Sequence, residues 1–220
     1  MSKILPAIRN FLLDLLFPLE CLNCRREGAH LCNRCFREIK FNDKNNQAKL
    51  KINLKVPALD NIAIAGDYEN ALWRLLITKY KYNFIEPLGL ILTRFLIEFW
   101  NSENWKPDYV IPIPLSKKRL RWRGFNQAEI IAREFSSHFN YELTLDLKRE
   151  RHGVPQASLS ESERLANMES AFVWTGRDLN GCTILLIDDV VTTGATLNEA
   201  ARTLRAAGAS RVCALVLAKG

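Results

Sequence analysis

The stretch Ile184-Leu-Leu-Ile-Asp188-Asp189-Val-Val191-Thr192-Thr193-Gly194-Ala195-Thr196 restricts the fold more than any other part of this 220-residue chain. Four consecutive apolar residues read as a strand in a core. Two adjacent aspartates are then expected at its carboxyl end, facing solvent at the sheet edge where open α/β sheets bind ligands. Threonine, threonine and glycine lead on into a helix. Their backbone N–H groups, their hydroxyls and the positive helix end can surround a phosphate, and Gly194 lets the backbone approach closely. Acids beside a phosphate loop suit a sugar phosphate whose hydroxyls meet the carboxylates. The plainer alternative makes the aspartates a solvated turn and Thr193 a helix cap.

The surrounding sequence supplies the rest of such a domain. Ile62–Tyr68 reads as a strand, and Asn70–Lys81 and about Pro87–Trp100 as helices. Tyr109–Ile113 is a short strand followed by a basic loop, Ser116–Gly124, and a helix over about Asn126–Phe139. Lys148–Ser160 reads as an exposed loop and Glu161–Asn167 as a short helix. Ala171–Trp174 and Thr183–Ile187 are strands, and Leu197, Ala200, Ala201, Leu204 and Ala207 form one helix face, stopped by Gly208. Arg211–Leu217 closes the chain as a strand. Nearly continuous apolar strands alternating with helices predict an α/β fold with a mostly parallel sheet flanked by helices.

Ahead of this domain, Cys21, Cys24, Cys32 and Cys35 form C-x2-C-x7-C-x2-C. Two residues between cysteines let both thiolates grip one ion from a tight turn, and two such knuckles complete a tetrahedral site. Structural zinc is the leading reading, and iron held by the same sulfurs is the alternative. Four closed ligands leave no position for water, so this metal is not expected to do chemistry. His30 could replace a cysteine, but the plainer reading is a surface histidine beside the knuckle; Cys182 and Cys213 read as small buried residues in apolar runs. Residues 41–59 are polar and lysine-rich and read as a linker. The expected organisation is therefore 1–40 helix plus knuckle, 41–59 linker, and 60–220 main domain.

Composition narrows the partners. Thirty-one basic against 24 acidic residues give a net charge of +7, which suits a phosphate-bearing ligand. Lys117, Lys118, Arg119, Arg121 and Arg123 concentrate five of these cations in seven residues around Trp122. Such a loop, starting at Ser116, can hold a diphosphate, or single-stranded nucleic acid through phosphate pairing and base stacking. Ile4, Leu5, Ile8, Phe11, Leu12 and Leu15 fall at helical spacing, but Arg9 and Asp14 interrupt the run, so no membrane span is expected. The chain reads as cytoplasmic.

The segment from Ile184 to Thr196 resembles the 5-phosphoribosyl 1-pyrophosphate (PRPP) motif of type I phosphoribosyltransferases. The likeness extends to Phe11-Leu-Leu-Asp-Leu-Leu-Phe-Pro before the four cysteines, to Ile111-Pro-Ile-Pro-Leu, to Arg123-Gly-Phe-Asn-Gln127, to Pro155-Gln156, and to Arg164 with Asn167. In that order these residues are similar to the ComF/GntX family of competence-associated proteins. The resemblance implies a type I phosphoribosyltransferase-like fold with a small N-terminal zinc knuckle. It assigns the ribose hydroxyls to Asp188 and Asp189, and the 5-phosphate to Val191, Thr192, Thr193, Gly194, Ala195 and Thr196. The loop from Ser116 to Arg123 would hold pyrophosphate, with Mg2+ bridging it to the ribose. A mobile hood carrying Arg149, Arg151, Gln156 and Arg164 would close over PRPP, although the family's threonine three residues before Gln156 is Gly153 here. Two functions follow as expectations. One is a phosphoribosyltransferase of the glycosyltransferase class, its acceptor unnamed. The other is a non-catalytic module that senses a nucleotide or PRPP and binds single-stranded DNA, alongside a competence helicase or other DNA-processing protein.

Overall fold

The structure, a computed structural model, describes residues 18–43, 54–82, 85–100, 106–149 and 171–220. The amphipathic segment from Ile4 to Leu15, the predicted helix Glu161–Asn167, and Arg151, Gln156 and Arg164 of the hood lie outside these. The chain forms two compact units, residues 1–40 and 41–220.

The larger unit is built on five parallel strands. They are β1 (Asn61–Asp67), β2 (Tyr109–Pro112), β3 (Glu142–Leu143), β6 (Thr183–Val191) and β7 (Arg211–Lys219), in the order β1-β7-β6-β2-β3. Strands β4 (Leu147–Arg149) and β5 (Phe172–Trp174) form a separate antiparallel pair. Lys148 and Arg149, read from sequence as the start of a loop, therefore belong to a strand. The apolar runs of β6 and β7 are buried, as a parallel sheet covered on both faces requires.

Helices α2 (Ala71–Tyr82), α3 (Leu88–Phe99) and α5 (Gln127–Phe139) pack on one another and on the sheet. Ala128, Ile131, Ala132 and Phe135 of α5 are buried at the spacing that puts them on one helix face. Helix α6 (Ala195–Ala206) buries Leu197, Ala200, Ala201 and Leu204 in a core shared with Ile184, Leu186, Leu147 and Phe172. Trp73 of α2 lies flat on β1 because residue 66 is glycine: a Cβ there would stand 2.1 Å from the indole.

Two further sequence expectations change at this level. Ser116–Gly124 is a capped helix, α4 (Lys117–Arg123), rather than a loop. The Ser116 hydroxyl accepts from the Arg119 N–H at 3.3 Å, and Gly124 ends the helix in the left-handed conformation at φ 78°. The segment read as a linker carries Leu54, Val56 and Leu59 buried in the core, while Asn42 hydrogen-bonds along β1 to Ile64, Ala65 and Gly66. Its polar composition hides a few apolar residues that suffice to pin it. Among the described residues no helix is long and apolar enough to cross a membrane.

Candidate functional site

The topology selects one place for a ligand. From β2 the chain crosses through α5 to β3, whereas from β6 it crosses through α6 to β7, on the opposite side. The carboxyl ends of β2 and β6 therefore flank the point where the winding reverses, and a crevice opens there in sheets of this kind. Pro112 is paired with Ile187, and the Ile113 N–H reaches the Ile187 carbonyl at 2.9 Å. Beyond that point β6 continues to Val191, paired with β7.

Asp188 and Asp189 consequently sit inside the strand and not beyond it, which corrects the expectation that both face solvent. Successive strand residues point to opposite faces, so the two acids meet different surroundings. Asp189 is only 8% exposed and receives the Lys81 ammonium of α2 at 2.7 Å. Asp188 is partly exposed and accepts the Asp189 N–H at 2.8 Å. Burial and the Asp189 charge push the Asp188 carboxyl up to about 7, against the opposing pull of that N–H, Lys81 and Arg149. Arg149, at the end of β4 with its guanidinium 5.3 Å from the Phe172 ring, thus carries a charge that acts on Asp188.

The loop after β6 leads directly into α6. Thr192 and Thr193 are exposed, and Gly194 adopts φ 83° as the N-cap of α6. No side chain caps this helix, and its first turn holds no acidic residue; Thr193 Oγ1 meets the Ala195 N–H only at 3.4 Å. The helix thus presents its positive end to the loop instead of satisfying it with a carboxylate.

Behind the loop lies a support that motif reading missed. The Lys55 N–H donates to the Thr193 carbonyl at 3.0 Å, and the Ala58 N–H to Asn198 Oδ1 at 2.9 Å. Val56 packs beneath Gly194, where a Cβ would approach its Cγ1 to 2.4 Å. The alternation Leu54-x-Val56 within the lysine-rich stretch was the available signal.

The basic segment divides into two groups. Lys117, Lys118, Arg119 and Arg121 are exposed, whereas Arg123 is 9% exposed and donates through Nη1 to Gln127 Oε1 at 3.0 Å. Its guanidinium also lies 5.6 Å from the Tyr82 ring and 6.0 Å from that of Trp122. Asn126 donates to the Ile113 carbonyl at 3.1 Å, and the Phe125 ring packs 5.6 Å from Tyr80. Arg123-Gly-Phe-Asn-Gln127 therefore acts as a bracket joining α4, α5, α2 and the end of β2. A cleft of about 720 Å³ beside that strand end is lined by Pro114, Leu115, Lys117, Asn126, Glu129 and Arg149 among others.

In the smaller unit the four cysteine sulfurs lie within 4.8 Å of one another. The Cys24 and Cys32 sulfurs are 3.6 Å apart, near the roughly 3.8 Å edge of a tetrahedron with 2.3 Å metal–sulfur bonds. The Cys32 N–H and Asn23 Nδ2 point at the Cys21 and Cys35 sulfurs at 3.4 and 3.3 Å, contacts that favour thiolates. Gly28 at φ 102° turns the chain between the knuckles, and Cys32 starts helix α1 (Asn33–Arg37). The donor set fits one soft metal ion.

The chain is similar to several known proteins. A family model described as phosphoribosyl transferase domain matches residues 84–220. Competence protein F of Haemophilus influenzae is 28% identical over 87% of this chain and 86% of its own. The DNA utilization protein YhgH of Escherichia coli O157:H7 is 30% identical over 72% of this chain and 71% of its own. Competence protein ComFC of Streptococcus pneumoniae is 36% identical over 61% of this chain and 58% of its own. Among solved structures, the adenine phosphoribosyltransferase of Leishmania tarentolae covers 71% of this chain and 90% of its own at 13% identity and a TM-score of 0.42. With its parallel sheet, its acidic strand end and its four-cysteine unit, the chain belongs to the ComF family of proteins with a phosphoribosyltransferase domain.

Proposed function

We propose that the crevice between β2 and β6 binds PRPP or a related ribose phosphate together with Mg2+, in the service of DNA uptake. The observation that carries this reading is the uncapped, glycine-led start of α6 beside two carboxylates of unlike environment. A 5-phosphate fits the N–H groups and hydroxyls of Val191 to Thr196, and ribose hydroxyls fit the acids. Mg2+ would arrive with the diphosphate, held by its oxygens and the ribose, since it keeps few protein ligands at phosphate sites. Lys117 and Arg149 line the adjoining cleft and suit the diphosphate charge. If the protein is catalytic, loss of pyrophosphate leaves positive charge at the anomeric carbon, which the carboxylates offset while an acceptor adds. Zinc in the knuckle has a structural role only. The relatives' names, competence protein and DNA utilization protein, support a role in handling incoming DNA.

Calorimetric titration with PRPP and with ribose 5-phosphate, each with Mg2+, tests the reading, followed by a pyrophosphate-release assay across nucleobases. Saturable binding supports it, and release of pyrophosphate makes the protein an enzyme. Absence of binding by either ligand refutes it.

A second reading rests on a different observation. Trp122 and Tyr82 are 56% and 49% exposed with ring centroids 5.7 Å apart, beside the exposed cations of α4. Such a face suits single-stranded DNA, so the same protein would bind ribose phosphate in the crevice and DNA along α4.

A further inference from the structure

Building on the ribose-phosphate reading, we propose that Lys81 is a positioning residue of the site: bracketed by Tyr80, Gln127 and Arg123, it ties Asp189 from one face of the sheet and leaves Asp188 as the carboxyl that meets the ligand. Lys81 precedes the residues that the domain model matches, so no phosphoribosyltransferase motif assigns it. It ends α2, where a lysine usually extends its ammonium into water. Here the side chain is 13% exposed and the ammonium is committed to Asp189 Oδ1. Burying a cation is unfavourable without such a partner.

The approach is fixed from behind. Tyr80 is fully buried, and its hydroxyl donates to the Gln127 carbonyl at 3.0 Å. Gly89 leaves room for that ring: a Cβ there would stand 3.0 Å from the Tyr80 hydroxyl and 2.8 Å from Ile130. Gln127 in turn receives Arg123 through its side chain. These interactions hold the last turn of α2 against the start of α5 and so place Lys81 over β6.

The result is a division of labour between adjacent acids. Lys81 occupies one oxygen of Asp189. Asp188 faces the other way and keeps its second oxygen clear of the Asp189 N–H bond. Among the described residues, the charged groups acting on Asp188 are Asp189 on β6, Lys81 on α2 and Arg149 on β4. Of the three, Lys81 and Arg149 favour the carboxylate and Asp189 opposes it. Removing Lys81 should therefore raise the Asp188 midpoint further above its present value near 7.

The test needs no ligand at its first stage. Side-chain carboxyl NMR across pH should show Asp188 titrating near neutrality in the wild-type protein. Lys81→Met should move that midpoint up by about half a unit to one unit, and Lys81→Arg should restore it. Lys81→Met should also weaken binding of ribose 5-phosphate with Mg2+ by about tenfold, against less than about threefold for Lys81→Arg. A folded Lys81→Met protein with an unchanged midpoint overturns the proposal. Should that variant not fold, the wild-type protein suffices: a tied ammonium gives a slowly exchanging Lys81 signal in nitrogen-15 spectra, and its absence overturns the tie. Failure of the wild-type protein to bind ribose 5-phosphate or PRPP would instead refute the ribose-phosphate reading, with the Lys81 ammonium signal still deciding the Lys81–Asp189 tie.

Discussion

Val56 fills the space that a side chain at residue 194 would need, with its Cγ1 2.4 Å from where a Cβ would stand. Gly194 is thus constrained twice, by this close approach and by its φ of 83°. Gly194→Ala should lower stability by about 1–3 kcal/mol and weaken ribose phosphate binding, because the loop must shift. Val56→Ala in the same chain should relieve the clash but not the backbone strain, so the double variant should recover only part of the loss. Thermal melts of the two single variants and the double variant measure this. Full recovery would mean that backbone conformation plays no part.

A second prediction follows from Asp188. Its carboxyl is raised from 3.8 to about 7, so between those values the native protein binds more protons here than the unfolded chain. Stability from this group is present below about pH 4 and is lost as pH rises to about 7. Asp188→Asn removes the penalty. The variant should match the wild type at pH 4 and melt a few degrees higher above pH 7. Titrating groups remote from Asp188, such as Asp60, whose carboxyl is held low against the effect of burial by the Val212 N–H and Arg205, are common to both proteins and cancel in the difference. A constant offset at all pH values would assign the effect to packing.

Local chemistry explains how far the sequence could be read. The apolar run Ile184–Ile187 and the glycine after two threonines carry their meaning within one strand and one turn, so the strand and the glycine-led start of α6 were legible. The cysteine pairs were legible for the same reason. Lys81 and Val56 were not, because each gains its role from a residue more than 100 positions away. The aspartates were misplaced since β6 runs four residues past its last β2 pair, a length set by β7 and not by β6 itself. Basic residues 117–123 looked like a loop from charge alone, yet Ser116 and Gly124 carry ordinary helix-capping signals.

The knuckle gives a third prediction. Residues 18–40 bury few large side chains, among them Leu31, Phe36 and Ile39, too few to hold a fold without a staple. Elemental analysis should give about one zinc per chain. Chelation should release it, and amide exchange should rise within 18–40 while β6 and β7 stay protected. Intact protection of the knuckle after metal removal, or the absorbance of iron bound to sulfur, would contradict a structural zinc.

The fourth prediction separates the cations of α4 by what they touch. Lys117, Lys118, Arg119 and Arg121 are exposed and available to phosphates, whereas Arg123 is spent on Gln127, Tyr82 and Trp122. Replacing the four exposed residues by alanine should leave the melting temperature within a few degrees of wild type. Single-stranded DNA binding should weaken, and its log–log salt slope should fall by roughly 0.7 for each phosphate that no longer meets a cation. Trp122→Ala should weaken binding with little change in slope, because stacking releases few ions. Arg123→Ala should behave differently from all of these. It removes a buried guanidinium and leaves the Gln127 amide without its partner, at a cost of about 1–3 kcal/mol, and any weakening of DNA binding should track that loss of fold. Competition with PRPP then tells whether the two ligands share Lys117, which lines the cleft beside β2. A four-alanine protein that is folded and binds DNA at wild-type strength and slope would remove α4 from the DNA-binding surface.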